Sequence, residues 1–186
     1  MSVQRYVIDG FGQLEINNGA FRRDGRIEAQ CALNATDFAK IPAENGMLLA
    51  VNKAANTIDL PKGAKDCPIA INYSAEHMYD ERTPGLKNFN LKLGEFFPRM
   101  GYLSIGDKFT TNCFSYDTDD FANDAAVEEL DPADGVYASE YINGDGSILL
   151  GEPAEGAQVI LKVIEKTTMP DGQFALKFQV VPAVAE

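Results

Sequence analysis

The sequence predicts a mainly β protein: a small antiparallel β-barrel or sandwich in the C-terminal half, a β-rich N-terminal part with short helices, and an extended N-terminal arm. Three observations predict it. From position 101 onward, short runs of strand-forming residues alternate with glycine-bearing turns. Helical patterns are confined to pieces too short to organise a bundle. Hydrophobic residues make up 45% of the 186, enough for an ordinary core without a disulfide or metal staple.

Residues 1–35 mix brief apolar alternation with the turn signals Asp9-Gly10, Asn18-Gly19 and Asp24-Gly25 and read as an extended arm or irregular strands. Residues 36–100 form the β-rich N-terminal region. In it, residues 47–51 and 57–60 flank the polar loop 52–56 and read as a hairpin, and residues 68–73 as a third strand. Short helices are expected at 36–40, at 74–81 with Ser74 as N-cap, and at 123–130 up to Asp131-Pro132. Phe96-Phe97-Pro98-Arg99-Met100-Gly101 reads as a packed crossover into a third unit, residues 101–186. There, 102–105 and 108–116 are strands. Two hairpins are expected, around Asn143-Gly144-Asp145-Gly146 and Pro170-Asp171-Gly172, whose residues tolerate positive φ.

Charge bounds the partners. The formal net charge is -12, and the stretch between Lys108 and Lys162 holds no basic residue but twelve acidic ones, so it accounts for the whole excess. This argues against nucleic acid, whose phosphates require Lys and Arg. A solvated, self-repelling face is the plain reading of this stretch; docking onto a basic surface is the sharper one, with Arg22, Arg23 and Arg26 of a neighbouring copy as a candidate. Cys31, Cys67 and Cys113 are odd in number and dispersed, and are expected to be buried and reduced. The opening Met-Ser-Val-Gln-Arg-Tyr lacks a leader pattern and no run approaches the length of a membrane span, so cytoplasmic synthesis and no membrane association are expected.

No standard active site is legible. His77 is the single histidine, and its neighbours carry no nucleophile signature. Asp117, Asp119, Asn123 and Glu128 match positions 1, 3, 7 and 12 of a calcium loop, but Phe121 and Ala122 occupy positions that need a ligand and a glycine. Phosphate-cradling glycine motifs are missing, and a chain without Trp lacks the platforms of a sugar cleft. An enzyme is not expected, nor a cofactor or metal. Between Arg82 and Lys108, bases interleave with Phe89, Phe96, Phe97 and Tyr102; a buried aromatic strand or a protein interface is favoured there over single-strand binding. Residues 72–86 concentrate Tyr73, His77, Tyr79 and Arg82 around Pro84-Gly85, a composition enriched at interface centres.

Three segments carry a resemblance: residues 71–86; Gly106-Asp107-Lys108-Phe109-Thr110-Thr111-Asn112; and Lys166-Thr167-Thr168-Met169-Pro170-Asp171-Gly172 with Phe174-Ala175-Leu176-Lys177-Phe178. They are similar to segments of small virion proteins of tailed bacteriophages, of the kind that decorate or cement a capsid. The resemblance implies a β-rich protein on the outer lattice of the virion, bound to the major capsid protein and to copies of itself, trimers included, with no catalytic residues. Arg22, Arg23, Arg26, Tyr73, His77, Tyr79 and Arg82 are then the interface candidates. A tail or neck component, or a host-surface or carbohydrate-binding module, is the alternative.

Overall fold

The protein is described here by a computed structural model, which covers residues 2–15, 19, 27–63, 67–74 and 86–182. Strands take up 37% and helix 8%, so the chain is mainly β. In chain order the strands are β1 (Val3–Arg5), β2 (Ile27–Glu28), β3 (Ala32–Leu33), β4 (Leu48–Asn52), β5 (Thr57–Asp59), β6 (Ile69–Asn72) and β7 (Met100–Tyr102). They continue as β8 (Lys108–Thr111), β9 (Phe114–Asp117), β10 (Tyr137–Glu140), β11 (Ile148–Leu150), β12 (Ile160–Thr168) and β13 (Phe174–Val181), with a short helix α1 (Asp124–Glu129) between β9 and β10.

Among the described residues the strands form two sheets, a seven-stranded one ordered β1-β9-β11-β10-β12-β13-β8 and a six-stranded one ordered β2-β7-β6-β4-β5-β3. The expected hairpins are present: β4–β5, β10–β11 and β12–β13 all pair antiparallel, with Asn56, Asn143 and Gly172 at positive φ in their turns. The C-terminal sheet is nonetheless mixed rather than antiparallel. β11 runs parallel to β9, because α1, a 3-10 turn at Pro132–Asp134 and β10 form a crossover between them.

The apolar run 47–51 has a simple cause. Leu48 and Ala50 of β4, with Ile69 and Ile71 of β6, face the seven-stranded sheet and share one cluster with Phe114, Tyr116, Leu161 and Phe178. The alternate residues Leu49 and Val51, with Ile58 and Ala70, pack on the other face under Phe38, Ala43 and Leu91. A strand covered on both faces reads as continuously apolar, and full burial of each Leu contributes roughly 1.5–3 kcal/mol.

One core therefore spans the expected boundary at 100/101, which falls inside β7 of the six-stranded sheet. Within residues 1–35, Val3–Arg5 is an edge strand on β9, and Ile27–Glu28 and Ala32–Leu33 join the other sheet. The run 108–116 is two strands broken at Asn112-Cys113, and β7 lies two residues before its expected position. Residues 36–40 are turns and bends rather than helix. α1 matches expectation, with the Asn123 side chain accepting from Ala126 N at its start.

β8 and β9 lie near opposite edges of their sheet, yet only Asn112 and Cys113 separate them. Three peptide steps reach about 10 Å, so the sheet must coil until its ends approach. The N-terminal segment bridges the gap. β1 pairs with β9, Leu14 bridges to Thr111, and Glu15 N donates to Thr110 O at 2.9 Å. No ladder joins β8 to β9 among the described residues, so strand pairing alone does not close a barrel. Gly46 packs into this corner at φ +90°, where a Cβ would lie 2.2 Å from Thr111 Oγ1.

Candidate interaction surface

Among the described residues, three exposed large apolar side chains lie close together in the chain just before β7. In the sequence Lys92-Leu93-Gly94-Glu95-Phe96-Phe97-Pro98, Glu95 N donates to Lys92 O at 3.2 Å and the Glu95 carboxylate accepts from Lys92 N at 2.9 Å. Gly94 adopts φ +84°. The turn so fixed turns Leu93, Phe96 and Phe97 toward solvent, 44%, 66% and 52% exposed, while Leu91, Pro98 and Met100 on either side are buried. These two phenylalanines were expected in a packed crossover and in either a buried aromatic strand or a protein interface, and their exposure opposes the buried alternatives. The turn chemistry of Leu93-Gly94-Glu95 is the signal that opposes burial.

This loop ends beside the start of residues 73–86. Arg99 N donates to Ser74 Oγ at 2.9 Å, Tyr73 N donates to Arg99 O at 3.0 Å, and Ser74 Oγ also bonds Asn72 Oδ1 at 2.5 Å. Tyr73 itself is fully buried in the main core cluster. Of the interface candidates it is the one whose position is described, and its side chain packs within this chain's own core. Its aromatic ring fills the space between the sheets. Arg22, Arg23, Arg26, His77, Tyr79 and Arg82 lie outside the described residues.

A second concave surface sits at the far end of the chain. Loops 119–121, 135–137 and 151–157 enclose an open cleft of about 830 Å³. Phe121, Val136, Tyr137 and Ile160, all half-buried, form its apolar part, and the exposed Asp120, Glu152 and Glu155 form its rim. Phe121 is steadied by an edge-on contact with Tyr116, ring centroids 6.4 Å apart. Gly151, at φ +122°, permits the rim geometry: a Cβ there would lie 2.3 Å from Asp120 Oδ2. The wall 151–157 is held from beneath by buried Glu140, whose two oxygens accept Gln158 N at 2.5 Å and Val159 N at 2.9 Å.

Of the remaining acidic residues of the stretch, Asp119, Glu128, Glu129, Asp131 and Asp134 are exposed, in keeping with a solvated face, and some of the stretch's carboxylates also make structural bonds. Tyr6 Oη donates to Glu128 at 2.6 Å and Tyr116 Oη to Asp124 at 2.7 Å. Burial, then its bond to Asp124, pushes the Tyr116 phenol up to about 12. Glu128 and Asn123 are thus engaged elsewhere than in a calcium loop, and among the described residues no three His, Cys, Asp or Glu side chains are grouped to hold a metal ion. Cys113, buried beside Arg5 Nη2 at 3.4 Å, has its thiol pushed up to about 12 by burial. It is a neutral thiol at physiological pH, unsuited to nucleophilic attack. No helix among the described residues is long and apolar enough to cross a membrane. Comparison with protein-family models, curated proteins and solved structures found no match to this chain.

Proposed function

We propose that the chain is a structural protein of a bacteriophage virion, a decoration protein that seats on the lattice of the major capsid protein through Leu93, Phe96 and Phe97. The observation that carries this reading is the exposure of three large apolar side chains from one hydrogen-bonded turn. Apolar groups clustered at a surface mark interaction sites, and burying each against a partner favours association by roughly 1.5–3 kcal/mol before ordering costs. Ser74 is hydrogen-bonded to the same loop's exit, and the sequence that follows it in the chain has an interface composition.

The test is co-sedimentation of the purified protein with tail-less heads stripped of their decoration, comparing the wild type with the L93S/F96S/F97S variant. Saturable binding at a fixed ratio to capsid subunits is expected, weakened at least about tenfold in the variant. Equal binding by the two proteins, or none by either, overturns the proposal. Binding to isolated tails and not to heads overturns the capsid position and favours a tail or neck component.

A further inference from the structure

We propose that the cleft lined by Phe121, Val136, Tyr137 and Ile160 and rimmed by Asp120, Glu152 and Glu155 receives the arginines Arg22, Arg23 and Arg26 of a second copy of this chain. The inference does not rest on the virion reading, since it concerns another surface and a different partner.

The cleft's lining belongs wholly to the stretch between Lys108 and Lys162, which contains no base. Its potential is therefore of one sign, and concavity over an apolar floor concentrates that field. Lys162, opposite Tyr137 across the β10–β12 ladder, does not itself line the cleft. A half-buried aromatic floor under exposed carboxylates suits a guanidinium in particular. That group stacks on rings with its face and donates in pairs to carboxylates with its edge, which an ammonium cannot do as well.

The chain carries one run that meets this description. Arg22, Arg23 and Arg26 fall within five positions, three of the sixteen basic residues, directly after Phe21. In the chain the run falls between Gly19, which is buried, and Ile27, paired with Gly101. A span of that length reaches at most roughly 14 Å out and back. The densest positive run and this acid-rimmed cleft thus make a heterologous, head-to-tail contact, which closes into a ring when the rotation permits.

Sedimentation velocity of the full chain at 0.1 M and 1 M NaCl, with a charge-reversal pair, tests this. One variant carries E152K/E155K, both at exposed positions, and the other R22E/R23E/R26E; circular dichroism monitors their fold. The wild type is expected to associate, with affinity falling about tenfold or more as the screening length drops from about 10 to 3 Å. Each variant alone is expected to be monomeric. An equimolar mixture of the two, or one chain carrying all five changes, is expected to regain association. A monomeric wild type, undiminished association of either folded variant, or failure of the mixture to associate overturns the proposal. A five-change chain that is folded but monomeric also overturns it.

Discussion

Glu44 and Glu140 are both carboxylates withdrawn from water, and the protein holds them by opposite means. Glu44, its side chain 17% exposed, accepts from Arg5 Nη2 at 2.8 Å and from Gly12 N at 2.6 Å. Glu140, 1% exposed, pairs with no cation among the described residues and is clasped by two backbone N–H groups. The ionic site ties together distant segments, since Arg5 also reaches Asp145 at 3.4 Å and Asp145 accepts from Ser147 Oγ at 2.5 Å. The N-terminal edge strand is thereby joined to the loop before β4 and to the β10–β11 turn. The backbone clasp instead fixes one end of one loop, the cleft wall. Its lack of a countercharge shows in its acidity: burial raises the Glu140 pKa, and the two N–H bonds offset this only in part. At Arg5, burial acts against the charge, but the facing groups win and the pKa stands above its ordinary value. At neutral pH the two carboxylates carry that effect, because Cys113 is uncharged.

If this comparison is right, removing Glu140 is the more damaging change. Glu140→Ala takes the acceptor from the buried Val159 N–H, at roughly 1–3 kcal/mol, and from the part-buried Gln158 N–H, at less, and opens a cavity. A loss of about 3 kcal/mol or more is expected in urea unfolding. A loss under about 1 kcal/mol would mean that the loop rearranges to satisfy its own donors.

Arg5→Met ranks next. Removing one partner of a fully buried pair costs about 3–5 kcal/mol, but here water still reaches Arg5 and Asp145, so about 2 kcal/mol is expected. The ionic account is sharpened by the double variant Arg5→Met/Glu44→Gln, which should recover part of the loss because no charge is left uncompensated at Glu44. Strictly additive effects of the two changes would remove the pair from the explanation.

Neither site is legible in the sequence, for a physical reason. Arg5 is an isolated base whose partners lie 39, 108 and 140 positions away, and Glu140 sits in an otherwise ordinary alternating strand within an acid-rich stretch. What the sequence does disclose is local. Asn143-Gly144-Asp145-Gly146 and Pro170-Asp171-Gly172 specify turns through their own φ preferences, and the apolar run at β4 specifies a doubly covered strand. The parallel pairing of β9 with β11 depends on a crossover closing at long range, and the pairing of Val3–Arg5 on β9 on a partner more than a hundred residues away. Tyr73 shows the same limit in a side chain. Its composition group pointed to an interface, while its position after Ile69-Ala70-Ile71-Asn72 carries it into the core.

The smallest expected effect is also the most diagnostic. In Glu140→Gln the shape is kept, but the amide nitrogen must face one of the two N–H donors, so one bond is lost at a cost of about 1–2 kcal/mol. The variant also loses a titration. With the folded pKa of Glu140 raised above its ordinary 4.5, the native state binds the proton more tightly than the unfolded chain does. The resulting stabilisation is full below pH 4.5 and is lost as pH rises through the folded pKa. Asp59 and Asp171 titrate in the opposite sense. Burial raises them, but hydrogen bonds from Thr57, Asn34 and Asn52 to the first, and from Gln173 and Gln13 to the second, outweigh it and lower both pKa values. Their stabilisation is present above about pH 3.8 and lost as pH falls further. Those two contributions are shared by the wild type and the variant and cancel in the difference. Urea unfolding of both proteins across the acid to neutral range should therefore give a wild-type advantage that is greatest in acid and shrinks as pH rises. An advantage that is flat with pH, or that grows toward neutrality, would show that Glu140 is held as a comfortably ionised carboxylate and that the contrast with Glu44 is mistaken.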